Sequence, residues 1–153
     1  MNPNFTLLPE AVGTFSADTK SAILGQLAAL FAGTDGLDAA LVLERMEERE
    51  RLGSTGFGRG VAIPHARIDG LQRPVAAVMR LDSPVSYDSA DGLPVDLVFG
   101  LLSPETAGAV HLHALAAISR TMRDEGMHQA LRQAPSAEAI YGLLSNVIDR
   151  DAA

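Results

Sequence analysis

The sequence predicts an α/β (α+β) sandwich, a single domain with a mixed β-sheet flanked by helices. Helical spacing of apolar residues runs through residues 16–51 and returns after about residue 108. Between them lie three short apolar runs, punctuated by Pro74, Pro84, Pro94 and Pro104, that read as strands. Helices at both ends of a strand-rich middle supply two layers that can cover the two faces of one sheet.

Each element follows from its own residues. Ser16 and Asp18 stand where a helix needs a cap, ahead of Ile23, Leu24, Leu27, Leu30 and Phe31 on one side. Gly33-Thr34-Asp35-Gly36 ends that helix. A second helix is predicted from Asp38 to Arg51, carrying Leu41, Val42, Arg45, Met46 and Arg49 at helical spacing, with Gly53 as its C-terminal cap. Val61–Ile63, Val75–Leu81 and Val95–Leu102 are the strands. The last is apolar almost throughout, as expected of a strand covered on both faces. From about Gly108 to Arg123 the period is helical again, with Leu112, Leu115, Ala116 and Ser119 nearest one another. Shorter helices follow at Met127–Arg132 and Ser136–Ile148, the latter opened by Ser136 with Glu138 in its first turn. No linker or internal repeat divides the chain, so residues 5–149 read as one domain with tails at 1–4 and 150–153.

Composition narrows the function classes. A chain of 153 residues, 47% hydrophobic and 20% charged, suits one globular domain. The absence of cysteine excludes disulfides, thiolate zinc sites and cysteine nucleophiles. A net charge of −7 opposes binding to nucleic acid or to an anionic membrane surface. No apolar run approaches a bilayer span, and residues Met1–Thr6 lack the basic head and apolar stretch of a signal peptide. The expected location is cytoplasmic.

The stretch from Arg49 through Gly53-Ser54-Thr55-Gly56-Phe57-Gly58-Arg59-Gly60 to Val61-Ala62-Ile63-Pro64-His65 carries the chemistry. Glycines let backbone amides approach a bound group, and clustered amides favour an anion. The loop lacks the Gly-Lys-Ser/Thr ending of a nucleotide P-loop, and Val61 stands where a dinucleotide fingerprint needs glycine. Two readings of it remain: a turn-rich connection, or an anion cradle to which Ser54 and Thr55 add hydroxyl donors. Those hydroxyls could equally cap local backbone. An isolated His65 would be a packed residue bonded to a carbonyl. Pro64, Arg67 two residues on and Arg49 at the preceding helix end turn it toward phosphoryl chemistry, because an arginine fork suits phosphate oxygens.

His111 and His113 open the next long helix, where free amides and the helix dipole attract anions. Residues two apart on a helix diverge by about 200°, so one metal ion could not take both rings. His111 shares a face with Leu115 and can enter a cleft, while His113 reads as solvated or packed. His128 belongs to no constellation. The acidic pairs Glu47-Glu48 and Asp88 with Asp91 read as solvated charge, and Asp91-Gly92 as a turn. No Gly-x-Ser-x-Gly element marks a serine nucleophile. A metal-dependent hydrolase built on His65 and His111 lacks a convergent carboxylate.

Together, Arg49-Glu50 through Ala62-Ile63-Pro64-His65, Pro94–Phe99 and His111-Leu112-His113-Ala114-Leu115 resemble the IIA domain of the phosphoenolpyruvate-dependent phosphotransferase system. The branch is the fructose/mannitol type, and the Leu-Gly-Ser-Thr-Gly wording is most similar to its nitrogen-regulatory form. The resemblance spans Leu7 to about Leu144. It implies that His65 accepts a phosphoryl group from an HPr-like phosphohistidine carrier, with Arg49 and His111 as active-site partners. It also implies modification at Nε2, and a regulatory role toward partners such as potassium-transport proteins or sensor kinases. On this expectation the oxygens in transfer are met by Arg49, by His111 and by amides and hydroxyls around Ser54 and Thr55, with no metal or cofactor. A sugar-specific IIA, passing phosphate to a IIB component that 153 residues leave no room to fuse, is the alternative; a regulatory module with vestigial transfer is another.

Overall fold

The apolar run Val95–Pro104 becomes β6, the strand around which the rest assembles, and it is buried along nearly all of its length. The computed structural model describes residues 4–152, with side chains described through Val147. The elements are β1 (Thr6–Phe15), α1 (Lys20–Asp35), α2 (Ala39–Arg51), β2 (Gly56–Gly58), β3 (Val61–Ala62) and β4 (His65–Ile68). They continue as β5 (Val75–Val85), β6, α3 (Gly108–Met122), α4 (Glu125–Gln133) and α5 (Ala137–Ala152). The sheet is mixed, in the order β1-β5-β6-β3-β2 with β4 also paired to β6. β5 runs antiparallel to β6, while β3 and β4 follow one another along the other side of β6, both parallel to it.

Alternation along the two central strands sorts the core into two halves. Ala76, Val78, Phe99 and Leu101 face one side and pack with Ile118, Met122, Leu131 and Leu144 from α3, α4 and α5. Ala77, Met79, Val98 and Leu102 face the other side and meet Ile23, Leu27, Phe31, Val42 and Met46 from α1 and α2. Gly100 lets α1 come close, since a Cβ there would stand 2.8 Å from Leu27 Cδ2. The predicted sandwich is therefore the observed one.

Several local expectations need correction. The cap of α1 is Thr19, whose extended backbone aims its hydroxyl at the Ala22 amide at 3.0 Å; Ser16 is instead bonded to Asp82. Asp38 caps α2 as expected, but its C-terminal cap is Leu52, and Gly53 makes the turn just beyond at φ 147°. In α3 the packed face holds His111, Ala114, Ala117, Ile118, Thr121 and Met122, whereas Leu112 is 62% exposed. The small alanines, not the leucines, sit against the sheet, and of the expected set only Leu115 packs partly on the core. Ser136 does hold the start of α5, accepting from the Ala139 amide. That helix runs past Ile148 to Ala152 and so absorbs most of the expected C-terminal tail. Residues 1–3 and 153 of the expected tails lie outside the described residues.

Three strands were not predicted. β1 contains Pro9 and Gly13, which interrupt the alternating pattern; an edge strand tolerates both, and its register against β5 shifts between Leu7 and Val12. β2 and β4 are too short to show a period of their own. β4 matters most, because it begins at His65.

Candidate functional site

Pro64 breaks the chain between β3 and β4, and its carbonyl accepts from the Leu101 amide, so the new strand starts in fixed register against β6. Within β4, Ala66 and Ile68 are buried, while His65 and Arg67 share the opposite face. The last turn of α2 lies against β4 and brings Arg49 to the same place. His65, Arg67, Arg49 and His111 line one open cleft of about 560 Å³, with Arg45, Glu48, Leu52 and Glu105 among the residues at its walls.

Hydrogen bonds assign the tautomer of His65. Nδ1–H donates to the Ile63 carbonyl at 2.8 Å, so Nε2 carries the lone pair, and it accepts from Arg49 Nε–H at 3.3 Å. Arg49 is anchored on its other side, where Nη1 donates to the Gly53 carbonyl at 2.9 Å. Of the five N–H donors of a guanidinium, these two bonds leave three for an anion. The His111 ring lies 5.6 Å from that of His65, tilted by 52°, and its Nδ1 meets the Ser103 hydroxyl at 2.6 Å.

Both rings are held neutral. Burial lowers the pKa of His65 and Arg49 adds to this, against the upward pull of the Ile63 carbonyl and of Glu50. His111 is lowered to about 4, first by burial, then by the charge of Arg67 and by the repulsion a protonated His65 would add. Because both are neutral in the fold, the unfolded chain binds more protons as the pH falls. Their contribution to stability is therefore complete above about pH 6.5 and is lost progressively toward pH 4. An NMR titration of the folded protein should give His111 a midpoint near 4; a midpoint above 6 would contradict this account of the cleft.

Ser54 and Thr55 are differently placed. Ser54 Oγ donates to the Tyr87 carbonyl at 2.9 Å and accepts from the Gly56 amide at 3.0 Å, the local capping geometry open to it from sequence. Thr55 is buried; its hydroxyl and its amide both donate to Glu50. Neither residue lines the cleft of His65. The glycine loop is thus a packed support: a Cβ at Gly56 would stand 2.9 Å from the Ser89 backbone, and Gly60 takes φ 84°. His113 is exposed, and His128 is buried with Nε2 at 2.5 Å from the Met122 carbonyl. Among the described residues no group of three or more metal-ligating side chains converges.

Glu50 is the residue that sequence reasoning passed over. Its side chain is 7% exposed and pairs with Lys20 Nζ at 2.9 Å, while accepting from Thr55 and from the Tyr87 hydroxyl. Burial of Tyr87 itself, and after it the charge of Glu50, hold the Tyr87 phenol well above its usual range. The available signal for Glu50 was its position, a carboxylate in the last turn of a helix, where the dipole disfavours negative charge and some other partner must hold it. Glu50→Ala strands the Thr55 amide and the Lys20 ammonium. It should lower stability by about 2–4 kcal/mol, measurable by denaturant unfolding.

The chain belongs to the family described as phosphoenolpyruvate-dependent sugar phosphotransferase system, EIIA 2, whose model matches residues 9–147. Within that family it is similar to nitrogen regulatory proteins. It is 45% identical over 130 residues to the nitrogen regulatory protein of Pseudomonas aeruginosa, covering 84% of each chain. The crystal structure of the nitrogen regulatory protein IIA-Ntr from Neisseria meningitidis superposes with a TM-score of 0.84 at 34% identity, over 90% of this chain and 95% of that one. The IIA mannitol enzyme of Escherichia coli, determined in complex with phosphorylated IIB, shares the fold at 18% identity and a TM-score of 0.77, over 93% and 99%. No helix among the described residues is long and apolar enough to cross a membrane.

Proposed function

We propose that this protein is a phosphocarrier that accepts a phosphoryl group on His65 Nε2 from an HPr-like phosphohistidine protein and regulates its partners through that modification. The observation that carries the reading is the pairing of the unprotonated Nε2 with the Arg49 guanidinium at the cleft. The Nε2 lone pair forms a bond to phosphorus in line with the donor's P–N bond, whose electron pair returns to the donor's ring nitrogen. The Ile63 carbonyl keeps its hydrogen bond to Nδ1–H throughout, so the ring does not rotate as it reacts. As the lone pair is used, the Arg49 N–H that rested on it passes to a phosphoryl oxygen, and the donors still open on Arg49, with Arg67 beside them, meet the spread negative charge. Ser54 and Thr55, with their hydroxyl hydrogens already engaged, act here by holding the loop rather than by direct contact.

Phosphorylation adds about two negative charges at a cleft rimmed by Arg45, Glu48 and Glu105. That change is large enough to alter which partners dock. Similarity to nitrogen regulatory proteins supports a regulatory output, toward targets such as potassium-transport proteins or sensor kinases acting in the cytoplasm. The mannitol neighbour, determined with its IIB, supports the second reading, in which phosphate passes onward to a fructose- or mannitol-type IIB.

The test is mass spectrometry of the protein incubated with phosphoenolpyruvate and the upstream carriers. One acid-labile phosphoryl group, absent when phosphoenolpyruvate is omitted, is expected. No mass increase would refute the phosphocarrier reading. Discharge of the label by a purified IIB would favour sugar transport over regulation.

A further inference from the structure

We infer that Ser103 is a positioning residue of this site: its hydroxyl donates to His111 Nδ1 and thereby fixes His111 as an Nε2–H donor aimed at the phosphoryl group on His65. The inference rests on the reading of His65 as acceptor, but its first half concerns the resting protein alone.

The strand register places the parts. Ser103 pairs with Arg67 across β6 and β4, two residues beyond the pair Leu101 and His65. Alternation therefore puts Ser103 on the same face of the sheet as His65 and Arg67, the face covered by α3. There Ser103 is completely buried, on a face of β6 that otherwise carries the apolar side chains Leu97, Phe99 and Leu101. A polar side chain at such a position requires a partner. Among the described residues its hydroxyl meets one, His111 Nδ1 at 2.6 Å.

The direction of that hydrogen bond follows from what each group must satisfy. If Nδ1 carried the proton and donated to Ser103, the serine's own O–H would be left buried without an acceptor. If Ser103 donates, both groups are satisfied and the ring's single proton sits on Nε2. His111 is held neutral by burial and by Arg67, so it has one ring proton, and Ser103 determines which nitrogen carries it. The Nε2 edge is the free one. Among the described residues it makes no hydrogen bond, yet it is not one of their buried polar atoms without a partner, which are Gln26 Oε1, Ser89 Oγ and His128 Nδ1. It opens on the cleft that His111 shares with His65. A donor is what a phosphoryl oxygen requires there; the opposite tautomer would present a lone pair to a dianion. No covalent step is assigned to Ser103, which never touches the phosphoryl group.

The experiment is long-range ¹⁵N–¹H NMR of the unphosphorylated protein at neutral pH, combined with rates of phosphoryl acceptance, for wild type, Ser103→Ala and Ser103→Thr. In the wild type, His111 should show a protonated Nε2 and an unprotonated Nδ1. Ser103→Ala should give a mixed or reversed tautomer and about tenfold slower acceptance, the size expected for losing one hydrogen bond to a charged group. Ser103→Thr, which keeps the hydroxyl, should retain the wild-type tautomer and rate. A wild-type His111 protonated on Nδ1 would overturn the inference, and so would an unchanged tautomer in Ser103→Ala, whatever its rate. If His65 takes up no phosphate at all, the proposed function fails, while the resting tautomer still decides the role of Ser103.

Discussion

Replacing His65 by Ala is expected to abolish labelling by a phosphorylated HPr-like carrier, to below detection, while the fold survives. The loss should be complete because the reacting lone pair has no substitute in the cleft. The one other imidazole there, on His111, is bound through Nδ1 by Ser103 and belongs to α3 rather than to the β4 edge. Stability should change little. His65 is only half-buried, and its removal deletes one bond to the Ile63 carbonyl and one from Arg49. Together these amount to about 1–2 kcal/mol, well inside what a domain of this size withstands. Radiolabel transfer and a thermal melt, read on the same preparation, separate the two effects. Retained labelling in a folded His65→Ala protein would place the acceptor elsewhere.

Arg49→Ala should slow transfer by about 10²–10³-fold, the range seen when one preorganised donor to a developing charge is removed. The guanidinium lines the cleft, and the hydrogen bond it makes besides the one to His65 closes the end of α2 onto the Gly53 carbonyl. Loss of that cap should cost about 1 kcal/mol. Arg49→Lys is informative as well: it keeps the charge but loses the planar fork that holds Gly53 with one arm and Nε2 with another. Its rate should fall nearer to that of the Ala variant than to wild type. A loss of melting temperature in proportion to the loss of rate would make Arg49 structural instead.

The sequence carried the architecture further than it carried the support of the site. Strand β6 was legible because a nearly continuous apolar run between two prolines has few other uses, and α2 because Asp38 and the spacing of Val42 and Met46 agree on one helix. His65 stood out through Pro64 and the two arginines. Three kinds of information were not local enough to read. Strand β1 hides behind Pro9 and Gly13, and only its parallel pairing with β5 makes it a strand. The face of α3 was misjudged because Ala114 and Ala117 pack more closely than the leucines beside them, a preference set by the sheet and not by α3.

The third kind is partnership across the chain. Ser54 and Thr55 looked like anion donors because a loop of hydroxyls and glycines has that composition. Their hydrogens are instead drawn to the Tyr87 carbonyl and to Glu50, the latter held in an ion pair with Lys20. Glu50 resembled the solvated acids around it until the fold enclosed it. Ser103 ended a strand and had no sign of function until the helix carrying His111 was laid above it. In each case the residue type was visible and the neighbour was not.

The most direct test of the account is to phosphorylate uniformly ¹⁵N-labelled protein and identify by NMR which nitrogen carries the phosphorus. The account predicts a phosphoramidate on Nε2 of His65, with Nδ1 still protonated and bonded to the Ile63 carbonyl. Phosphorus on His65 Nδ1, or on any other residue, would contradict it.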